Sequence, residues 1–460
     1  MSAPPPLPIG SLADQLSVLQ DRAYNFVRRY QGGLSDLEVC CRVSARAGYR
    51  FENDKAVNVP SNRAVDVWFR GFRDGQVALK RTTGLDESTW RRAVDSLEVA
   101  PWHPISKSPP APASAFPEPL TYHPPFADRL SRGGELKELG DSLLANVWHE
   151  SERHSGLKTI EGGAWYETAI NVIARPTGSL GALSGVFRTA IGFNQLFTDH
   201  LNQVLAPQSL LAIALWGARV WRELPAQVME SPLEVGSHPV FLHPRALEKL
   251  IRRIGRQTFT WAGPQGTSIG AQIASEAFTL VDDPHMEGLT TSRGFDDTGR
   301  PTRRLSLVVK GKVADRFSRL DGGALFQSSA GNFWRRANGQ KNPSGLLAPD
   351  FSSVYVGRGR ATYRDLLHRF PRCVFVYDFE KVASTAPGSS AFEAVVGSSL
   401  LIQPGANSKV IRPGTVTLRG ELFNGSTGTD GFLGSATLSR ELDDTGTGIL
   451  PYALGRLEVA

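Results

Sequence analysis

Residues 279–320 read TLVDDPHMEGLTTSRGFDDTGRPTRRLSLVVKGKVADRFSRL. The opening apolar run ends in Val281-Asp282-Asp283-Pro284, and the proline stops a strand there, because it offers no N–H to a ladder. Phe295-Asp296-Asp297-Thr298-Gly299-Arg300-Pro301-Thr302 is turn chemistry: aspartate bonds to its own backbone and glycine accepts a positive φ. Residues 305–309 and 312–317 flank Lys310-Gly311 as two short strand-like runs around a turn pair, the arrangement of a tight β-hairpin. This stretch therefore predicts antiparallel pairing with short connections.

The same reading extends outward. Residues 373–379, 394–402 and 410–422 form further apolar runs with strand character. Toward the N-terminus, Leu12, Leu16, Leu19, Ala23, Phe26 and Val27 recur at helical spacing. Strands are predicted over 37–43, 47–59 with a turn at 52–54, 64–70 and 76–80. A second helix is predicted after Asp86, a residue suited to capping. Residues 104–125 are rich in Pro, Ala and Ser and read as a linker. Beyond it a helix is predicted over 135–154, paired strands over 159–173 and 185–193, and helix over 196–224.

Hairpin spacing without βαβ alternation predicts an α+β fold. The expected divisions are an N-terminal helix–antiparallel sheet–helix unit (1–103), the linker (104–125), a central connecting region (126–235) and a larger β-rich unit (236–460).

The chain of 460 residues has 51 Lys and Arg against 45 Asp and Glu, a net charge of +6. These charges are mixed along the chain, so nucleic-acid binding, which needs basic residues gathered on one face, is disfavoured. Three cysteines and no Cys-x-x-Cys fit a reducing cytosol and give no zinc ribbon. The N-terminal segment lacks the basic and apolar regions of a secretion signal. The longest apolar stretch, 209–221, is interrupted by Arg219 and is too short to cross a bilayer. A cytoplasmic, membrane-free protein is the expectation.

The 279–320 stretch resembles the TldD/PmbA family of peptidase-complex proteins, in its Val-Asp-Asp-Pro strand end, its Asp-Asp-x-Gly-x-Pro-Thr turn and its Lys-Gly hairpin. Ala330-Gly331-Asn332 with Arg335-Arg336 resembles the next landmark. The Phe51-Glu52-Asn53 strand and residues 67–94 match in order, whereas 420–460 match poorly. The resemblance implies dimers enclosing a chamber. One subunit type carries a zinc-binding His-Glu-x-x-x-His on a helix that follows a Val-Leu-x-Pro strand end. The other, TldE- or PmbA-like, lacks it.

Here the matching strand end is Val240-Phe241-Leu242-His243-Pro244, and the motif's positions fall on Arg252, Arg253 and Gln257. Zinc needs imidazole, thiolate or carboxylate donors; arginine is a fixed cation with no lone pair to give. The family's cysteine ligand has no counterpart either, since no cysteine follows Cys373. His149-Glu150-Ser151-Glu152-Arg153-His154 does spell the motif, about a hundred residues early. Residues five apart diverge by roughly 140° on a regular α-helix, so a solvated last turn is the preferred reading and a metal site at His149, Glu150 and His154 the alternative. His243, next to Pro244, reads as a packed or capping histidine.

The expectation is a partner subunit without its own metal or cofactor, with zinc in a TldD-like homologue and an unfolded peptide as substrate. Catalytic residues are not expected in this chain. Asp282-Asp283 and Asp296-Asp297 are better turn residues than catalytic pairs. The polar loop 285–294 is the candidate chamber lining, with His285, Asp296, Asp297, Arg303, Arg304 and Asn332 as the residues placed to meet substrate. The alternative is an autonomous metal hydrolase or peptide-modifying enzyme.

Overall fold

The computed structural model describes residues 11–30, 33–52, 55–104, 121, 141, 145, 160–193, 197–203, 227–228, 233–260, 268–317, 333–334, 348–370, 372–386, 388–403, 408–424 and 431–460. The fold is α+β, a smaller antiparallel sheet unit and a larger mixed sheet.

Helix α1 (Leu12–Arg29) starts at Ser11, whose hydroxyl accepts the Asp14 N–H while the Asp14 carboxylate accepts the Ser11 N–H. This reciprocal cap satisfies two backbone donors that the helix itself leaves unpaired. Its stripe of Leu19, Ala23, Phe26 and Val27 is buried. Helix α2 (Glu87–Asp95) begins at Asp86, which accepts the Thr89 N–H, and buries Trp90, Ala93 and Val94.

Both helices cover one face of a seven-stranded sheet. Its strands are β1 (Asp36–Glu52), β2 (Lys55–Arg73), β3 (Gln76–Thr82), β4 (His103–Pro104), β5 (Ile160–Arg175), β6 (Gly178–Phe193) and β7 (Phe197–Gln203). They lie in the order β4-β3-β2-β1-β5-β6-β7. Alternation divides the sheet's two faces: Val39, Cys41 and Val43 meet the helices, as do Val67 and Phe69 of β2 and Ile170 and Val172 of β5. Glu38, Cys40 and Arg42 point to the helix-free face. At one end of that face a buried Glu38 carboxylate accepts from both Arg70 and Arg175. The β2–β3 connection is Asp74-Gly75, both at positive φ, as a two-residue hairpin turn requires.

Two sequence expectations need correction. The predicted strands 47–59 and 64–70 are not separate: residues 36–52 form one long strand and 55–73 another, with a register shift between Arg46 and Gly48 where separate strands were expected. A bulge of this kind bends a strand without ending it. The predicted helix over 196–224 fails at its start, because 197–203 form β7, paired with β6 from Phe187 to Phe193. Pairing with an open strand edge outweighs a weak local helical preference. Residues 204–224 lie outside the described residues, as do most of 135–154 and of the 104–125 linker.

The larger sheet contains β8 (Gln227–Val228), β9 (Gly236–Leu242), β10 (Leu280–Asp282), β11 (Leu305–Val309) and β12 (Lys312–Val313). A small separate pair is formed by β13 (Phe333–Trp334) and β14 (Ala348–Pro349). The large sheet continues with β15 (Val354–Val356), β16 (Cys373–Val376), β17 (Phe379–Ser384), β18 (Ala391–Val396), β19 (Ser399–Ile402), β20 (Lys409–Ile411), β21 (Thr417–Glu421), β22 (Thr437–Asp444) and β23 (Gly448–Val459). Its spine runs β12-β11-β10-β15-β23-β9-β16-β19-β20-β8. Pairing is mostly antiparallel; β15–β23, β9–β16 and β8–β20 are parallel. The poorly matching C-terminal stretch thus supplies a central strand, β23, lying between β9 and β15.

Helix α3 (Pro244–Leu250) follows β9, runs through a five-residue π-helical turn, Ile251–Gly255, and ends as α4 (Arg256–Thr260). Ala246, Leu247, Leu250, Ile251 and Ile254 bury it in the main core of this unit. Two short helices complete it, α5 (Tyr363–His368) and α6 (Phe432–Ser435). The β11–β12 hairpin turns at Lys310-Gly311, with φ of 48° and 75°. A Cβ at Gly311 would stand 2.2 Å from the Ala274 carbonyl oxygen, so only glycine fits there.

Candidate functional site

The site is built where α3, the β22–β23 turn and the polar loop 285–294 converge. Helix α3 begins with His243, whose Nδ1 accepts the Arg245 N–H at 3.2 Å, followed by Pro244 at the first helical position. With Nδ1 occupied, the neutral ring carries its proton on Nε2, which lies 3.5 Å from the Asp443 carboxylate. The ring stacks on Tyr377 with centroids 5.0 Å apart. His243 caps the helix and packs.

One turn on, Glu248 points into the core, 4 % exposed. Its Oε1 accepts from Arg252 Nε at 2.5 Å and from Thr447 Oγ1 at 2.6 Å, and its Oε2 accepts from Thr445 Oγ1. Burial pushes this carboxyl up, but Arg252 and the two threonine hydroxyls outweigh it, so the net direction is down and Glu248 stays ionised. The Arg252 guanidinium makes three further bonds, all to backbone oxygens. Nη1 donates to Phe351 at 3.0 Å, and Nη2 donates to Ser352 at 2.9 Å and Thr447 at 2.7 Å.

The strand end before the loop is fixed by Asp282. Its fully buried Oδ1 accepts from the Ser352 N–H at 2.8 Å, the Ser352 hydroxyl at 2.7 Å and the Ser353 N–H at 3.0 Å. The loop is then tied to the same two segments. Thr290 donates its N–H and its hydroxyl to the Gly446 carbonyl, at 2.8 and 2.9 Å. Thr291 and Ser292 hydroxyls each meet Ser353 Oγ, at 3.0 and 2.9 Å. Glu248, Arg252, Thr445–Thr447, Ser352–Ser353 and Thr290–Ser292 are thus one hydrogen-bonded assembly. At its far end Phe295, fully buried, packs with Cys40, Ile173 and Leu180 on the helix-free face of the smaller sheet.

The sequence-derived candidates fall around this assembly. Asp296 is buried and its Oδ1 accepts the N–H groups of Thr298 at 2.8 Å and Arg300 at 3.2 Å, the geometry of a turn. Asp297 pairs with Arg293. His285 Nε2 lies 3.1 Å from Thr302 Oγ1, which itself donates to the Arg293 carbonyl. Arg303 lies 3.5 Å from Asp315, and Arg304 lies 3.6 Å from Asp283; both arginines are exposed. Asn332, His149, Glu150 and His154 lie outside the described residues. Arg253 is exposed, and Gln257 Oε1 is buried without a hydrogen-bond partner among the described residues.

The π-helical turn sets the spacing of positions 252 and 257. Hydrogen bonding from i to i+5 places residues five apart about one turn apart, where a regular helix would splay them. Yet the side chains there do not suit zinc. Arg252 is a cation whose N–H groups are spent on oxygens, and no thiolate or imidazole stands at 253 or 257. Among the described residues no cluster of three or more His, Cys, Asp or Glu is placed to hold a metal ion.

Sequence reasoning did not single out Glu248, Thr445 or Thr447. The only local signal was Thr445-Gly446-Thr447-Gly448, a turn by composition, whose partners lie almost two hundred residues away.

Residues 235–432 match the family described as PmbA/TldA metallopeptidase C-terminal domain. Over these residues the chain carries a domain of the TldD/PmbA family. No curated protein matches the sequence. Among solved structures the chain is similar to TldE from Thermococcus kodakarensis, at 18 % identity and a TM-score of 0.69, over 95 % of this chain and 99 % of that one. It is similar to a candidate modulator of a DNA gyrase from Thermotoga maritima at 15 % identity and 0.69, over 96 % and 100 %. A further candidate gyrase modulator, from Bacteroides thetaiotaomicron, gives 14 % and 0.68, over 96 % and 98 %. These identities speak to the fold, which the chain shares over nearly its whole length. No helix among the described residues is long and apolar enough to cross a membrane.

Proposed function

We propose that this chain is the non-catalytic, peptide-binding subunit of a two-subunit TldD/TldE-type peptidase, working in the cytoplasm beside a homologue that carries the zinc. The observation that supports this reading most directly is Arg252. A guanidinium bound to Glu248 and three carbonyls stands where the family resemblance puts a metal ligand. A scaffold that keeps the family's fold around such a cation serves the partner's chemistry instead. It encloses an unfolded peptide, excludes water and fixes the register of the scissile bond. In this reading loop 285–294 lines the chamber, and Arg303 and Arg304 face the peptide.

The test is reconstitution. The purified chain should retain no stoichiometric zinc after dialysis and cleave no peptide, and cleavage should appear only when the metal-bearing homologue is added. Replacing Arg303 or Arg304 with Glu should lower that cleavage more than it lowers association. Two results would overturn the reading: a homologue that is fully active alone and unchanged by this chain, or about one zinc per chain that is lost on His149→Ala. The second would favour an autonomous metal hydrolase using His149, Glu150 and His154.

A further inference from the structure

Strand β15 begins next to Ser353 of the candidate site and ends at Val356, and the chain then runs Gly357-Arg358-Gly359-Arg360-Ala361-Thr362 beside β22. The Gly359 N–H donates to the Ser439 carbonyl, and the Arg440 N–H donates to the Ala361 carbonyl. A Cβ at Gly359 would collide with the Leu438 carbonyl, so glycine is what lets the two segments come this close. Arg358 and Arg360 flank that contact, and both are exposed. Helix α5 follows, begun by a reciprocal cap between Thr362 and Asp365. Tyr363, Leu366 and Leu367 of α5, and Phe370 beyond it, pack on the aromatic cluster around Phe241 and Tyr452. Arg364 and His368, one turn apart on the helix, are exposed, as are Arg369 and Arg372 after it.

Residues 357–372 carry five arginines and one histidine against a single carboxylate, Asp365. That carboxylate accepts the Thr362 N–H at 3.0 Å in the cap of α5. Beside the segment β22 adds Arg440 and Glu441, 3.9 Å apart, and Glu441 also accepts the Tyr363 N–H at 2.8 Å. The other two carboxylates of β22 lie farther along it: Asp443 faces His243, and Asp444 accepts the Gly446 N–H. On the opposite flank Gly357 donates to the Thr279 carbonyl, and the exposed charges there are one of each sign, Glu276 and Lys310. Arg369 donates to the Thr437 hydroxyl. Arg358, Arg360, Arg364 and Arg372 have no ion-pair or side-chain hydrogen-bond partner among the described residues. Four guanidinium groups thus stand free on one segment, after every nearby carboxylate is counted.

We infer that the segment 358–372, with α5 at its centre, is a docking surface for double-stranded DNA, held through the phosphate backbone. A free guanidinium binds phosphate through paired N–H donors in a fixed fork. Binding of a duplex without base readout needs such groups gathered on one face. The chain as a whole mixes its charges, 51 basic residues to 45 acidic ones, but here the fold collects one sign.

Other polyanions fit less well. An acidic protein partner would want an apolar anchor at the centre of its footprint, and no large apolar side chain described in this segment is exposed. Single-stranded nucleic acid needs open rings on which to stack its bases. Tyr363 is instead held 4.8 Å from the Tyr452 ring and 5.5 Å from the Phe241 ring, and Phe370 packs on the same cluster. Duplex RNA is recognised through its 2′-hydroxyls, and the Thr362 hydroxyl, the one suited to read them, accepts the Asp365 N–H in the helix cap. Recognition by charge alone is what remains, and a DNA duplex satisfies it with its bases stacked inside.

The experiment is fluorescence anisotropy of the full chain with a short labelled DNA duplex over a range of salt concentrations. The logarithm of the affinity should fall against the logarithm of salt with a slope of about −3 to −4, as four phosphate contacts require. Arg358→Gln/Arg360→Gln should make that slope shallower by about 2, roughly one per arginine, with unchanged circular dichroism. If that pair perturbs folding, Arg364→Gln/Arg372→Gln should give the same change. Arg29→Gln/Arg412→Gln removes equal charge from exposed positions elsewhere and should leave the slope as it was. Competition with the unlabelled single strand, a duplex RNA, a poly-glutamate peptide and phosphatidylserine vesicles ranks the other polyanions, and each should compete more weakly than unlabelled duplex DNA. Stronger competition by any of them, a control pair that flattens the slope as much, or a folded patch variant with undiminished affinity would overturn the inference.

Discussion

Arg252 Nε and Glu248 Oε1 are 2.5 Å apart, one turn apart on the same helix, and each partner's remaining polar atoms are bound to segments from other parts of the chain. Glu248 holds the hydroxyls of Thr445 and Thr447, while Arg252 holds the carbonyls of Phe351, Ser352 and Thr447. The pair therefore joins α3, the residues before β15 and the β22–β23 turn at one point. Its energetic weight lies less in mutual attraction than in leaving neither charge buried alone.

Arg252→Ala should accordingly cost about 3–5 kcal/mol, read as a shift in the urea midpoint at constant slope. Glu248→Gln, which keeps shape and one acceptor, should cost less. The double variant should be less destabilised than the sum of the two, because the second substitution removes the charge that the first leaves stranded. Additive losses would show that the two residues act independently.

Phe295 is an apolar link between the two units, fully buried against Cys40, Ile173 and Leu180. Phe295→Ala should destabilise by about 3 kcal/mol or more, from lost transfer energy and the cavity left behind. The loss should appear as faster proteolysis within 285–304 under native conditions. A variant as protease-resistant as the parent would mean that other contacts hold the loop.

Asp86 predicts a pH effect at the other end of the molecule. Hydrogen bonds from the Ser88 and Thr89 hydroxyls and the Thr89 N–H hold its carboxyl down at about 2. The folded value lies below the ordinary 3.8, so the ionised cap contributes stability above about pH 4. That contribution is lost as pH falls toward 2. Asp86→Ala should cost about 1 kcal/mol at neutral pH and progressively less in acid, where the parent's cap is protonated too. Titrating thermal unfolding of both proteins from pH 6 to about 2 measures this; parallel curves would refute it.

What the sequence disclosed was local. Asp86, Lys310-Gly311 and Asp296 to Gly299 each encode a cap or turn within four residues, and each forms as its chemistry requires. The long β2 was misread because a bulge resembles a strand break in a linear pattern. The segment 197–203 was misread because its partner β6, and not its own periodicity, makes it a strand. The assembly around Glu248 was illegible for a third reason. Thr445 and Thr447 lie 197 and 199 residues from it, and only the closed sheet brings them together.

The position of β23 has a consequence for how the molecule is made. Residues 448–459 fill the slot between β9 and β15, pairing along β9 from Leu242 to Gly236. A ribosome delivers β9 more than two hundred residues before it delivers that filler. Throughout the interval β9, joined for the last ninety or so residues by β15, presents an unsatisfied amide edge, a ready template for any passing chain. Synthesis at roughly 5–20 residues per second makes this exposure last from ten seconds to most of a minute. A nascent chain stalled before residue 448 should therefore recruit chaperones or aggregate, and a strand peptide copying 448–459 should rescue it by occupying the gap in trans.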